Sequence, residues 1–188
     1  MTQRVKTAGL MAALVILLPG PARADGFITP YYGYNFGGDS GNCVSLTNCE
    51  VKRTNFGVSF GAMGKVFGFE EDIGYAKNFF GDTPGTDNSV FNAMSNLLVG
   101  VGTGPVQPYG LIGLGLIRPH VSFNSSLLPF HKNALGYDLG GGLNIYFGHV
   151  GVRGDLRHLH ALQDISLLIF NGQKLDFWRF SVGLALRF

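Results

Sequence analysis

The last eleven residues, WRFSVGLALRF, alternate in character from one position to the next. Large apolar residues occupy every second position from Trp178 to Phe188, and small or charged residues fill the positions between them. Successive side chains of a β-strand point to opposite faces, so this period of two predicts a strand with one apolar and one small or polar face. The apolar face of such a strand must pack on another layer or meet an environment other than water.

The same alternation recurs along most of the chain. Phe56, Val58 and Phe60, for example, alternate with small or polar residues. The pattern predicts eight strands, at about 27–36, 52–62, 65–77, 91–102, 108–117, 134–147, 149–159 and 178–188. Most of them have at least the roughly 9–11 residues that a tilted strand needs to cross a bilayer.

The segments between these strands are alternately long and short. The long segments, rich in Gly, Asn, Asp, Ser and Pro, are about 37–51, 78–90, 118–133 and 160–173. The short segments are 63–64, 103–107 and 148. Long loops at one end and tight turns at the other are typical of membrane barrels, whose closure pairs all backbone groups. We therefore predict an all-β fold, an eight-stranded antiparallel up-and-down transmembrane β-barrel.

The composition agrees with an apolar outer surface. Hydrophobic residues make up 46% of the chain and charged residues only 14%, whereas soluble domains carry about 25% charged residues. A soluble exported barrel or sandwich with its apolar face inward is the alternative architecture, because it would share the alternation. That alternative explains the low charge and the alternating loop lengths less well.

The first 24 residues have the layout of a secretory signal peptide. Arg4 and Lys6 precede an apolar stretch at 8–18, and Ala22-Arg23-Ala24 follows as a small-x-small cleavage site. We predict a cleaved signal peptide at 1–24 and a barrel domain at 25–188, with an uncleaved anchor as the alternative. Cleavage removes three of the 14 basic residues and leaves a net charge of −1 against 12 acidic residues. This balance gives no support to nucleic-acid binding.

Two cysteines follow in the first long segment, Cys43 and Cys49. An exported protein enters an oxidising compartment, so we predict a disulfide between them. Metal binding is a weaker alternative, because no histidine lies nearby in the sequence.

Four stretches together resemble a known family: FEEDIGYAKNFF, PYGLIGLGLI, LGGGLNIYFGHVGVRGDLRHL and LDFWRFSVGLALRF. They resemble the small eight-stranded outer-membrane barrels of Gram-negative bacteria, which include OmpA-like, OmpX-like, OmpW-like and opacity-type surface proteins. The resemblance covers nearly all of 25–188 and implies a location in the cell outer membrane. Its implied partners are outer-membrane lipid or lipopolysaccharide, the barrel-insertion machinery, and an extracellular ligand bound by the loops. The terminal strand resembles the insertion signal of this family, carried here by Trp178, Phe180, Leu184, Leu186 and Phe188.

The predicted inner face carries most of the charged residues of the strands. An eight-stranded barrel is only wide enough inside for side chains, and buried charges must be paired. We therefore interpret the acids and bases as a salt-bridged plug, with an ion path or gated pore as the alternative. The cluster comprises Glu70, Asp72, Asp138, Arg153, Asp155, Arg157 and Arg179, and the same face includes Arg187.

Glu71 does not fit this inward placement of charge. Strict alternation from Phe69 to Ile73 directs it toward lipid, which is unfavourable for an acid. A β-bulge or a position near the rim of the barrel would relieve the conflict, and the sequence leaves both open.

Three other groups are weaker candidates for a site. His120 and Ser122 resemble the His–Ser pair of barrel lipid A deacylases, but no Glu follows in the sixth strand, and Arg118-Pro119 predicts that the chain leaves the strand. His158 and His160 share a face but lack a third metal ligand. The glycines of strands five and six do not form a nucleotide loop, because no helix or Gly-Lys-Ser/Thr follows. We expect no catalytic site, metal or cofactor.

The sequence therefore leaves three functions in order of preference. The first is a non-catalytic structural or surface-interaction protein that presents four extracellular loops. The second is a narrow passive channel for small or hydrophobic solutes, and the third is a lipid A-modifying hydrolase. The apolar run at 165–170 in the last long loop predicts a short helix on the rim, an extension of the strands, or a hydrophobic patch for a partner.

Overall fold

The computed structural model describes residues 24–41, 50–82, 86–123, 130–131, 133–163, 165–167 and 170–188. Eight long strands of these residues form one closed barrel. They are β1 (Asp25–Phe36), β2 (Thr54–Met63), β3 (Phe67–Lys77), β4 (Thr86–Gly100), β5 (Val106–Phe123), β6 (Ala134–Phe147), β7 (Val150–Ala161) and β8 (Asp176–Arg187). Each pairs antiparallel with the next, and β1 pairs with β8. The predicted eight-stranded up-and-down barrel is confirmed.

The first and last strands close the barrel. Their register runs from Phe27 opposite Arg187 to Phe36 opposite Trp178. Gly26 and Phe188 also exchange backbone hydrogen bonds, 2.9 Å in each direction. Closure removes the unpaired strand edges that an open sheet presents. None of the described residues belongs to a helix with the length and hydropathy of a membrane span.

The two ends of the barrel differ as the spacing predicts. The short turns 64–66, 101–105 and 148–149 lie with Asp25 and Phe188 at one end, which we call the turn end. The connections 37–53, 78–85, 124–133 and 162–175 join strands at the opposite end, which we call the loop end. Short and long connections therefore segregate to opposite ends of the barrel.

Strand β5 is longer than the sequence predicts, and the expectation that the chain leaves the strand at Arg118-Pro119 is wrong. The strand continues to Phe123, with Pro119 opposite Val90 of β4. Pro108 accepts a hydrogen bond from the β4 side, and bonding sides alternate along a strand. Pro119 therefore has its backbone nitrogen on the β6 side rather than the β4 side, so its missing N–H removes no bond to β4. On the β6 side the short strand Phe130–His131 pairs with Val121 and His120, so pairing along β5 extends past Pro119.

The outward side chains form an apolar band between two levels of aromatic residues. Leu114 and Leu139 are 63% and 55% exposed, although both lie in the middle of paired strands. Near the loop end the outward aromatic residues include Tyr34, Phe56, Tyr75 and Trp178, and near the turn end they include Phe67, Phe147 and Phe188. Such girdles mark the two interfaces of a membrane-spanning barrel.

Several predictions concern residues beyond those that the structure describes. The signal peptide, apart from Ala24, and the cysteines Cys43 and Cys49 lie outside the described residues. In the last long connection, Ile165–Leu167 pairs with Phe170–Gln173 in a separate two-stranded sheet. Of the structures predicted for 165–170, the described part is therefore extended rather than helical, and it is not continuous with the barrel sheet.

Candidate functional site: the barrel interior

All seven members of the predicted charge cluster point into the barrel. Strand β3 supplies two acids, β6 one acid, β7 two arginines and one acid, and β8 one arginine. Each of these residues is at most 4% exposed. Alternation places them inward, since Glu70 and Asp72 share one parity in β3, as Arg153, Asp155 and Arg157 do in β7. The structure therefore brings the side chains of the predicted cluster together in the barrel interior.

Arg157 lies at the centre of this cluster. Its guanidinium contacts Glu70 (Nη2 to Oε1, 2.8 Å) and Asp155 (Nε to Oδ1, 2.5 Å). Its Nη1 lies 3.5 Å from Asp138 and 3.7 Å from Asp72. One cation thus faces carboxylates from three different strands, and the planar fork of arginine suits this multiple pairing.

Arg153 binds the same two acids from the turn-end side. Its Nη1 lies 2.5 Å from Glu70 Oε2, and its Nη2 lies 2.9 Å from Asp155 Oδ2. Its Nε donates to the Tyr109 hydroxyl at 2.6 Å, and its guanidinium carbon lies 4.6 Å from the centre of the Tyr109 ring. Tyr109 in turn donates a short hydrogen bond to Asp155. The aromatic ring thus provides both a polar and a cation–π contact.

Arg179 and Asp72 form the third part of the network. Arg179 Nη2 lies 2.7 Å from Asp72 Oδ1, and Arg179 Nη1 donates to Tyr31 Oη at 2.8 Å. Asp72 also accepts from Ser59 at 2.9 Å and from Asn92 at 3.2 Å. These polar partners, and Tyr109 with them, were not predicted from the sequence, although their inward parity was a signal that could have identified them.

Asp138 is the least supported acid of the cluster. Neither of its carboxylate oxygens has a hydrogen-bond partner among the described residues, and its Arg157 contact of 3.5 Å is long. The cluster holds four acids and three arginines, so full ionisation leaves one negative charge in excess. Asp138 is the acid with the fewest partners to offset this excess negative charge.

Two apolar layers enclose the charge cluster, and neither layer was predicted from the sequence. At the loop end a buried layer includes Phe79, Val90, Ile117, Leu159 and Phe177. At the turn end a second layer comprises Phe27, Met63, Leu98, Tyr109 and Leu111. These apolar side chains exclude water from the ion pairs that lie between the two layers. Polar side chains are also buried near the mouths, among them Asn35 and Asn55 at the loop end and Gln107 at the turn end.

Side chains fill the described interior almost completely. A gap beside Arg157, lined by Thr29 and Ser59, has no room for a water molecule. A gap at the turn end, between Met63 and Tyr146, has about 10 Å³, which is space for about one water. Arg187 lies near this mouth, 4.6 Å from the centre of the Tyr146 ring, and does not join the buried cluster. These dimensions favour a plug over a water-filled path.

Glu71 projects from the outer face, as strict alternation predicts, and neither of the two expected forms of relief occurs. The register of β3 with β2 and β4 is continuous through Glu71, so there is no bulge there. The residue lies near the middle of its strand rather than at a rim. Its support comes from Ser95, whose Oγ donates to both carboxylate oxygens at 2.9 Å.

His158 and His160 face outward at the loop end, where they share a carboxylate. His158 Nε2 and His160 Nδ1 each lie 2.8 Å from Asp176 Oδ2. The Trp178 ring lies 4.9 Å from that of His158. Although Asp176 adds a third polar group, no set of three or more His, Cys, Asp or Glu side chains in the described part of the chain is arranged to hold a metal ion.

His120 and Ser122 also share the outward face, because β5 continues past them. Across the β4–β5 pair, Ser122 lies opposite Asp87 and His120 lies opposite Ser89. An acid is therefore present on the neighbouring strand, although not in the sixth strand, where the deacylase resemblance would place it.

Hydrogen bonds and an ion pair connect the bases of the loops at the loop end. Glu50 and Asp82 exchange backbone hydrogen bonds of 2.9 and 2.7 Å, and Lys52 forms a short ion pair with Asp82. The hydrogen bond from Lys52 lowers the pKa of the exposed Asp82 carboxyl. Asp39 accepts a hydrogen bond from the Asp176 amide at 3.0 Å, while burial raises the pKa of the Asp39 carboxyl. The first, second and fourth long loops thus share a connected base.

A closed eight-stranded barrel with an apolar outer band and a filled interior defines a small outer-membrane barrel. The chain belongs to the family described as the outer membrane protein beta-barrel domain, whose sequence model matches residues 10–188. The predicted membership and the location in the cell outer membrane are both confirmed. A comparison with curated protein sequences gave no match.

Solved structures show the same fold at low sequence identity. Neisserial surface protein A has a TM-score of 0.59 and 15% identity, over 86% of this chain and 95% of its own. Outer membrane protein H of Pseudomonas aeruginosa has a TM-score of 0.56 and 16% identity, over 88% and 100%. A major outer membrane protein from Thermus thermophilus has a TM-score of 0.54 and 15% identity, over 88% and 100%. At these identities the likeness concerns the fold alone.

Proposed function

We propose that this protein is a non-catalytic outer-membrane anchor that presents its four long loops at the cell surface for interaction with another molecule. The observation that carries the proposal is the filled interior, in which two apolar layers enclose a paired charge cluster. A barrel without an open path leaves the loop end as its functional surface. The charge cluster then stabilises the barrel that carries this surface.

The arrangement of the loop end supports a role in binding. Loops carried by a rigid scaffold are common binding elements, and here the bases of three loops are linked by hydrogen bonds. With the chain ends in the periplasm, all four long loops lie outside. Two structurally similar proteins are named Neisserial surface protein A and the attachment invasion locus protein of Yersinia pestis. These names describe a surface location and attachment in those proteins.

The proposed partners fall into three groups. Outer-membrane lipid or lipopolysaccharide surrounds the apolar band, and an extracellular ligand binds the loops. The insertion machinery recognises the terminal strand, whose signal residues all face outward and are 37% to 78% exposed. Those residues are Trp178, Phe180, Leu184, Leu186 and Phe188.

Protease treatment of intact cells tests the orientation. Trypsin should cleave at Lys174, which lies in the last long loop and is exposed, and it should leave Lys65 in a short turn intact. Lys65 becomes accessible only after the outer membrane is opened, which makes it the internal control. Cleavage at Lys65 in intact cells would place the long loops on the wrong side and overturn the proposal.

Conductance in planar bilayers separates the anchor from the channel alternative. The purified barrel should be electrically silent, because the described interior has no path for hydrated ions. Reproducible single-channel currents that change in Arg157→Ala would establish conduction through the charge cluster and replace the proposed function.

A lipid A-modifying hydrolase is the second candidate, favoured by the shared outward face of His120 and Ser122 with Asp87 on the neighbouring strand. A serine needs an adjacent base to attack an ester. Mass spectra of lipid A from cells that overproduce the protein should match those from cells producing Ser122→Ala. Loss of an acyl chain with the native protein alone would identify an enzyme.

A further inference from the structure

The outer face of β3 and β4 carries a polar pair inside the apolar band. The surface around it, which we call the Glu71 face, comprises Phe60, Phe69, Glu71, Ala93, Ser95 and Leu97. In the register Glu71 lies between Phe60 of β2 and Ser95 of β4. Phe60, Phe69 and Leu97 are 41%, 44% and 49% exposed, which confirms that this face points away from the barrel interior.

Lipid alone leaves this pair poorly satisfied. Glu71 lies four residues from the turn end of β3 and six from its loop end, so it lies at the level of acyl chains rather than headgroups. Acyl chains offer no hydrogen-bond donors or acceptors, and an unsatisfied polar group in hydrocarbon is costly. Ser95 supplies a single O–H, which both carboxyl oxygens share. An ionisable residue at this depth indicates a specific contact.

We propose that the Glu71 face is the interface through which two copies of this chain pair within the outer membrane. A twofold interface brings the same patch of both copies together, so the patch must complement itself. A neutral carboxylic acid has one O–H donor and one acceptor oxygen. Two Glu71 side chains across a twofold axis therefore form two reciprocal hydrogen bonds, while each Ser95 holds its own carboxyl in place.

The neighbouring side chains fit this arrangement. Ala93 and Ser95 are small, so they allow close approach of a second barrel at the carboxyl. The larger Phe60 lies beside that point, and Phe69 and Leu97 lie on its turn-end side, where they supply apolar contact next to the hydrogen bonds. Among the described outward positions between the aromatic levels, Glu71 is the ionisable one, so this feature is confined to one side of the barrel.

Association of donor- and acceptor-labelled barrels in liposomes tests the proposal. Energy transfer is measured as the protein is diluted with lipid, and each variant is first checked for folding by its gel mobility before and after boiling. The native protein should form dimers. Glu71→Leu should weaken dimerisation by about tenfold or more, the effect of losing hydrogen bonds in the interface. Glu71→Gln retains a donor and an acceptor and should dimerise within about threefold of the native protein.

Val182→Leu is the matched control, because Val182 is an outward residue of β8 on the opposite side of the barrel and is 46% exposed. Its dimerisation should equal that of the native protein. A native protein that stays monomeric at every dilution would overturn the proposal and point to lipid or a different envelope protein at this face. Equal dimerisation of the native protein and Glu71→Leu would overturn it too.

Discussion

Arg157 and Glu70 are separated by 87 positions in the sequence, and their side chains meet inside the barrel with 2.8 Å between Nη2 and Oε1. Arg157 lies on β7 and Glu70 on β3, on opposite walls of the barrel. Their contact links strands that share no backbone hydrogen bonds. The charge cluster thus connects the walls of the barrel across its interior, in addition to the ladder around its circumference.

Removal of Arg157 should destabilise the barrel strongly. In Arg157→Met the side chain keeps a similar length, but Glu70 and Asp155 lose a partner inside an apolar enclosure. Breaking a buried ion pair from one side costs about 3–5 kcal/mol, and we expect a loss of this size in denaturant unfolding in lipid vesicles. Arg187→Ala is the control, since its partly exposed pair with Asp25 should contribute about 1 kcal/mol or less. Equal unfolding midpoints for the two variants would contradict the plug.

Asp138→Asn should be neutral or stabilising. The substitution preserves shape, removes the excess negative charge of the cluster and gives the side chain a donor group. Asp72→Asn is the matched comparison, because it weakens the 2.7 Å pair with Arg179. We expect Asp72→Asn to cost about 1.5–3 kcal/mol in the same unfolding measurement. A greater loss of stability in Asp138→Asn than in Asp72→Asn would contradict this prediction and show that the long contact between Asp138 and Arg157 stabilises the barrel.

Gly113 and Gly154 should respond differently to alanine. A Cβ on Gly113 would collide with the side chains of Asn96 and Asp138, whereas a Cβ on Gly154 would meet nothing within 4 Å. Overpacking in a filled interior costs about 1–3 kcal/mol, and Gly154→Ala should stay within about 0.5 kcal/mol of the native protein. Unfolding midpoints of both variants measure the difference. Similar unfolding midpoints for the two variants would mean that interior side chains shift to accommodate the added methyl group at little cost.

The ion pair between Lys52 and Asp82 should be visible in the titration of Asp82. Because Lys52 lowers the pKa of Asp82, the pair stabilises the loop bases above the ordinary carboxyl pKa, and this contribution is lost as the pH falls through the lowered value. In Lys52→Met the titration midpoint should rise toward about 3.9. Carboxyl chemical shifts measured by NMR report the midpoint, and Lys65→Met at the turn end should leave it unchanged. An unaltered midpoint in Lys52→Met would assign the lowered pKa to another neighbour.

Alternation along the strands was the signal that assigned the charged residues of the cluster to the inner face. The inward positions of Arg153, Asp155 and Arg157 follow from their parity, because every strand of a barrel has one inner and one outer face. Their ion-pair partners could not be predicted in this way, because the contact between Arg157 and Glu70 depends on strand register and on the tilt of the strands in the barrel. A single sequence determines neither of these quantities by inspection. It could therefore be predicted that the charged residues form salt bridges, but not which residue pairs with which.

The apolar layers at both mouths also have a signal in the sequence. Leu159 has the same parity as Arg157, and Phe177 has the same parity as Arg179, so both point inward. The apolar layers were nevertheless not predicted, because the inner face changes from polar to apolar along each strand. Strand ends were also uncertain: a proline at position 119 favours the end of a strand, and only the register shows that its missing N–H removes no bond to β4.

The enclosed charge cluster also affects how a sequence of this kind can change over time. Arg153 and Arg157 each contact more than one acid, so replacing one member of the cluster leaves others without a partner. The energetic effects of neighbouring substitutions are therefore coupled rather than additive. Interior positions such as Glu70 and Arg157 are therefore expected to change together or not at all. Residues of the outer apolar band need only remain apolar, so they can be replaced one at a time. Related barrels should accordingly show correlated replacements across the interior and independent replacements on the surface that meets lipid.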